Sequence, residues 1–109
     1  TLVMEDDENC PFLMLMHADR EVSLKELARE LGKRNVSTCS VRDAQRYTGY
    51  MVGGISPFGT RSELPIYMER TILDLPYIYI NGGRRGFVLG MSPEIIINTL
   101  NVTIVEVSR

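Results

Sequence analysis

The sequence predicts an α+β domain, a mixed and curled β-sheet with about three helices packed on it. Three observations predict it. Short apolar, β-branched or aromatic runs alternate with stretches of helical periodicity. Turn signals rich in Gly, Pro, Asn and Asp separate them, and no repeat, low-complexity tract or linker interrupts the chain. Its 109 residues bound it to one domain, and a 44% hydrophobic content is enough for one core.

Residues 1–4 and 12–17 are apolar runs joined by an Asp/Glu/Asn stretch and Pro11, the pattern of a hairpin with Glu5-Asp6-Asp7-Glu8 as its solvated turn. Ser23 stands three residues before Glu26, and Leu24, Leu27, Ala28 and Leu31 recur at helical spacing until Gly32, so a capped amphipathic helix is expected. A short strand over 35–39 follows. Ser40 then caps a second helix with Val41, Ala44 and Tyr47 as its apolar stripe, closed by Thr48-Gly49. Residues 64–68 read as extended, with Pro65 at the strand's start or on a sheet edge. Residues 70–75 read as a helical turn, and 77–80 as a strand paired with 87–89. Ser92-Pro93-Glu94 starts a third helix that buries Ile95, Ile96 and Leu100, and 102–107 is the closing strand. Six methionines, spread along apolar segments, read as core filler.

Several function classes fall away. A net charge of −2 rules out a surface that grips nucleic acid as a polyelectrolyte, so any such contact is local; basic residues cluster at Lys33-Arg34, Arg42 with Arg46, and Arg84-Arg85. Cys10 and Cys39, with His17 as the single imidazole, make neither a disulfide framework nor a zinc set, so reduced thiols and no metal are expected. No apolar run approaches the roughly 20 residues that span a bilayer, and no signal-peptide pattern opens the chain. No membrane partner and a cytoplasmic location are expected. Thr1 begins on what reads as a strand cut at its start, so the expectation is a single domain over 1–109 lacking its N-terminal portion.

Gly49-Tyr50-Met51-Val52-Gly53-Gly54-Ile55-Ser56-Pro57-Phe58-Gly59 is the densest signal in the chain. Glycine leaves room where a side chain would block, so Gly53-Gly54 can aim bare amides at a small polar group. Asn81-Gly82-Gly83-Arg84-Arg85-Gly86 is a second such stretch, with guanidinium forks suited to phosphate, or a hairpin turn with solvated arginines. The two loops point to one shared pocket. Ser56 lies outside any Gly-x-Ser-x-Gly elbow and reads as a loop hydroxyl bonded to backbone or offered to a ligand. His17, ending an apolar run, is a satisfied rim histidine or a general base. Neither a Gly-x-Gly-x-x-Gly fingerprint nor a Walker A pattern is present, and no cofactor is expected.

The stretch Thr48–Gly59 resembles the signature loop of the YbaK family of aminoacyl-tRNA editing domains, related to the editing insertion of bacterial prolyl-tRNA synthetases. The likeness continues through Leu15–Ser23, through Tyr79–Phe87 and into Ser92-Pro93. It implies a deacylase of mischarged tRNA, Cys-tRNA(Pro) foremost, acting in trans on the acceptor end with prolyl-tRNA synthetase as a partner. It also implies catalytic roles for Gly53 and Asn81, and substrate contacts from His17, Tyr50, Gly54, Ile55, Ser56, Pro57, Gly82, Gly83 and Arg84, the last three toward the terminal nucleotide. In the family the substrate's own thiol attacks its ester, so the protein mainly orients. Two departures stand out: the family's functional lysine falls just before the position of Thr1, and Asn81 stands where close relatives carry serine. The alternative is a noncatalytic module that binds an aminoacyl-tRNA end or a nucleotide.

Overall fold

The computed structural model describes all of residues 1–109. Strands β1 (Leu2–Asp6) and β2 (Pro11–Leu15) pair antiparallel around the acidic turn, with Leu2 opposite Met14 and Glu5 opposite Pro11. The acidic run is not uniformly solvated. Asp6 is buried, and its carboxylate accepts the N–H groups of Glu8 at 2.8 Å and Cys10 at 3.1 Å while Lys33 approaches to 3.4 Å. The Cys10 N–H above all, helped by Glu8 and Lys33 against the opposing effect of burial, holds this carboxyl below the usual range. Only Asp7 and Glu8 behave as a solvated turn.

Strands β3 (Val36–Thr38), β4 (Ile66–Glu69) and β7 (Val102–Val105) complete a five-stranded sheet in the order β3-β1-β2-β4-β7. It is mixed as expected: β1 is antiparallel to both neighbours, whereas β2, β4 and β7 run parallel. Pro65 precedes a central strand rather than marking an edge, and its carbonyl accepts the Leu13 N–H at 2.9 Å. Strands β5 (Ile78–Arg84) and β6 (Phe87–Met91) form the expected hairpin, but as a separate two-stranded ribbon.

Both faces of the large sheet are covered, which is why β2 reads as an unbroken apolar run, Pro-Phe-Leu-Met-Leu. Alternation divides the core. Val3, Leu13, Leu15, Ile66 and Met68 face one way and pack with Ala44, Ile55, Ile72 and Ile96. Met4, Phe12 and Met14 face the other way and pack with Leu27, Ala28, Val36, Val105 and Val107. Helix α1 (Leu24–Leu31) therefore covers the second face. Helices α2 (Val41–Thr48) and α3 (Pro93–Thr99), the glycine loop and the ribbon cover the first.

The caps on α1 and α2 form as the sequence predicts. Ser23 Oγ accepts the Glu26 N–H, Ser40 Oγ accepts the Asp43 N–H, and Gly32 and Gly49 take the left-handed conformation at the C-termini. Four helical expectations are corrected. Leu24 and Val41, the first residues of α1 and α2, are 45% and 59% exposed, because the first residue of a helix points its side chain back past the structure that the rest of the helix covers. Ile95 is exposed, because the buried side of this short helix runs through Pro93 and Ile96, three residues apart, and Ile95 lies to one side of it. Ser92 occupies the cap of α3 without a side-chain bond. Among the methionines, Met4, Met14 and Met68 are core, but Met51 stands in solvent. The closing strand ends at Val105, although Val107 is buried and Ser108 bridges to Val22.

Candidate ligand cavity and the paired glycine loops

Helix α2 ends on a loop held by its own polar groups. Thr48 Oγ1 donates to the Ala44 carbonyl at 2.8 Å and accepts the Tyr50 N–H at 3.1 Å, and Gln45 Oε1 accepts the Val52 N–H at 3.1 Å. Tyr50 reaches across the loop to donate its hydroxyl to the Phe58 carbonyl. Ile55 belongs to the core, Gly54, Ser56 and Pro57 are buried beside it, and Ser56 Oγ accepts the Phe58 N–H at 3.1 Å. Of the two roles open to Ser56, the structure displays the bond to backbone.

The two glycine stretches do come together, and each is the other's close neighbour. A Cβ on Gly54 would lie 2.4 Å from the Arg84 carbonyl carbon and 2.6 Å from the Arg85 nitrogen. A Cβ on Gly53, at φ +100, would meet Arg85 Nε at 2.8 Å, and Arg85 donates to the Val52 carbonyl at 3.1 Å. Gly83, at φ +113, lies against the Tyr50 ring, and Gly82 lies against Phe87. The close approach that the glycines announce is therefore made by the opposite loop. Gly54 does not offer a bare amide, because its N–H donates to the Met51 carbonyl at 3.0 Å. Arg84 is exposed, with its guanidinium over the Phe87 ring.

Beside this joined unit opens a cavity of about 600 Å³, within the range of small-molecule sites. Its walls are mostly apolar and come from distant segments. Leu15 of β2 and Met68 of β4 meet Ile72 and Leu75 from the 3-10 turn (Arg70–Asp74) and its exit, Ile96 of α3, and Tyr77 to Asn81 along β5. The polar groups on the wall are Thr1, His17, Asp19, Arg20 and Asn81. Of the sequence-predicted site residues, His17 and Asn81 line the cavity. Tyr50, Gly53, Gly54, Ile55, Ser56, Pro57, Gly82, Gly83 and Arg84 instead form the loop unit that continues from Asn81 along β5.

A polar chain behind His17 lies outside the sequence reading. His17 Nε2 sits 2.7 Å from Thr71 Oγ1, which is 2.6 Å from Glu69 Oε2. Glu69 is fully buried at the end of β4 and also accepts the N–H groups of Thr71 at 2.8 Å, Val107 at 2.7 Å and Ser108 at 3.0 Å. Burial pushes its carboxyl upward, but the hydrogen bonds outweigh burial and hold it below the usual range. The available signal was Glu69-x-Thr71, an acid capping the N–H two residues on. Cys39, by contrast, is pushed up to about 11 by burial and by the charges of Glu5 and Asp43, so it is a neutral thiol near pH 7. No three His, Cys, Asp or Glu side chains gather as metal ligands would, and no helix is long and apolar enough to cross a membrane.

The model of a family described as "Aminoacyl-tRNA editing domain" matches residues 1–98. A relative from Enterococcus faecalis, named "Putative Cys-tRNA(Pro)/Cys-tRNA(Cys) deacylase EbsC", is 29% identical over 108 residues, 99% of this chain. The chain spans 66% of that relative's length, just under two thirds. Among solved structures, the hypothetical protein APE2540 superposes with a TM-score of 0.91 at 23% identity, covering 100% of this chain and 72% of that one. A structure described as "a putative trans-editing enzyme for prolyl tRNA synthetase" gives 0.88 at 20% identity, with 99% and 68% covered. At these identities the likeness in three dimensions is one of fold.

Proposed function

Because the chain belongs to the aminoacyl-tRNA editing domain family, we propose that it hydrolyses the ester of mischarged tRNA, with Cys-tRNA(Pro) as the foremost substrate. The observation that carries this reading is the cavity itself, whose apolar walls bring Asn81 and His17 to one space. An activated ester needs little beyond orientation and a few well-placed polar groups. In this reading the aminoacyl group enters the cavity, Asn81 and His17 meet its polar atoms, and the exposed Arg84 lies toward the terminal nucleotide. Gly53, Gly54, Ile55, Ser56 and Pro57, with Tyr50, hold the ribbon end at its height above the sheet, as do Gly82 and Gly83.

A net charge of −2 fits contact with the acceptor end alone, which neutralises few phosphates. Prolyl-tRNA synthetase would then supply the tRNA by raising its effective concentration. The reading predicts that single-turnover deacylation of Cys-tRNA(Pro) proceeds faster than that of Ala-tRNA(Pro), and that Asn81→Ala slows it by about tenfold or more, equivalent to about 1.4 kcal/mol of barrier. Absence of turnover for both substrates overturns it. Saturable binding of an aminoacyl-adenosine analogue without turnover would assign the cavity to a noncatalytic binding module instead.

A further inference from the structure

Three atoms behind the cavity wall fix where one proton must sit. Thr71 has a single hydroxyl hydrogen and two close neighbours, His17 Nε2 at 2.7 Å and Glu69 Oε2 at 2.6 Å. Glu69 accepts from two backbone N–H groups through Oε1 and from the Thr71 N–H through Oε2, an arrangement suited to an ionised carboxylate with no hydrogen to give. The Thr71 hydrogen therefore points at Glu69. Its lone pair then faces His17, and the contact at Nε2 is satisfied only if Nε2 carries the hydrogen. The other ring nitrogen, Nδ1, has no hydrogen-bond partner in the protein and is not buried from solvent, on a residue that lines the cavity.

We propose that Thr71 and Glu69 are positioning residues that hold His17 as the Nε2–H tautomer, so that the Nδ1 lone pair meets the ligand in the cavity. This deepens the deacylase reading and rests on it for the chemical step. There, the thiol sulfur of the cysteinyl group bonds to its own ester carbonyl carbon as the thiol hydrogen passes to Nδ1, closing a cyclic thioester. The bond from that carbon to the ribose oxygen then breaks, and the ribose oxygen takes the hydrogen back from Nδ1. No electrons change hands and the ring ends as it began. The polar chain adds to this by stabilising the ring while it carries both hydrogens, through Thr71 to the carboxylate.

The chain contains one histidine, so nitrogen-15 NMR of the imidazole reads this ring alone. With the ring neutral, the wild-type chain is expected to show hydrogen on Nε2 and a bare Nδ1. Thr71→Val should leave a mixture of tautomers, and Thr71→Ser should restore the single form. Glu69→Gln turns the amide of the new side chain toward Thr71, reverses the hydroxyl and moves the population toward the Nδ1–H form. In single-turnover deacylation Thr71→Val should be at least tenfold slower at unchanged half-saturation, within the roughly 10²–10⁴ range of general-base contributions, and Thr71→Ser should recover the rate. A wild-type ring protonated on Nδ1, or a Thr71→Val variant that folds and keeps both tautomer and rate, overturns the proposal. A wild-type chain that deacylates nothing overturns the deacylase reading and the chemical step with it, while the NMR result still decides the positioning.

Discussion

Gly54 and Gly32 separate two reasons for using glycine. Gly54 lies outside the positive-φ region, and what excludes a side chain there is the backbone of Arg84 and Arg85 within 2.4–2.6 Å of the Cβ position. Gly32 has φ +68 and nothing within 4 Å, so a methyl group there meets only conformational strain. Gly32→Ala should lower stability by about 1–2 kcal/mol, the cost of a left-handed residue bearing a Cβ. Gly54→Ala should lose about 3 kcal/mol, the upper end of ordinary overpacking, because main chain yields less than a side chain. Under the proposed function it should also slow deacylation, by shifting the ribbon that carries Asn81. Urea denaturation of both variants checks the ordering, and equal losses would show that the loops part easily.

At the scale of elements, the three helix starts look alike in sequence and differ in structure. Ser40 caps α2 through its hydroxyl at 3.1 Å, whereas Ser92 stands at the head of α3 with no such bond. Ser40→Ala is therefore expected to cost about 1 kcal/mol and Ser92→Ala close to nothing, measured as shifts in urea midpoint at constant slope. The same contrast marks how far the sequence was legible. Hairpins β1–β2 and β5–β6 and the α1 and α2 caps follow from local chemistry, and each was readable; the glycine density signalled a close approach, but not that the opposite loop, rather than a ligand, makes it. Pairing of β2, β4 and β7 was not, since parallel neighbours are joined by long connections that leave no local mark. Val41 and Ile95 misled because an apolar side chain at a helix end or beside the buried stripe costs little to expose. His17 and Asn81 stood out as chemistry-bearing residues on signalled segments. The apolar wall of the cavity did not, because Leu15, Met68, Ile72, Tyr77 and Ile96 become neighbours only in the folded chain. Glu69 was hidden for the same reason: its partners Val107 and Ser108 lie 38 and 39 residues away.

Two buried carboxylates tie separate corners of the whole molecule and make its stability depend on acid. Asp6 joins the end of β1 to the hairpin turn and to Lys33 beyond α1, and Glu69 joins the end of β4 to the segment 107–108 that bridges back to Val22. Both carboxyls are held below their ordinary values. The sign follows from linkage. A depressed folded-state value contributes stability that is fully present above the unfolded value, about 4 for carboxylates, and is lost as pH falls through the folded one, because the unfolded chain binds the proton first. Urea midpoints should accordingly be level from neutral pH down to about 5 and fall below it. Glu69→Gln should be less stable at neutral pH, yet its acid limb should be shallower by up to one proton's linkage, since the group that titrates has gone. Salt divides the two corners further: the Asp6 contact with the half-exposed Lys33 is open to screening, while the bonds to Glu69 are shielded from it. At 1 M salt the acid limb should therefore flatten more in Glu69→Gln, where Asp6 alone remains, than in Asp6→Asn. Parallel acid limbs in wild type and Glu69→Gln would mean that Glu69 keeps an ordinary affinity for its proton, and that its four hydrogen bonds do no more than balance its burial.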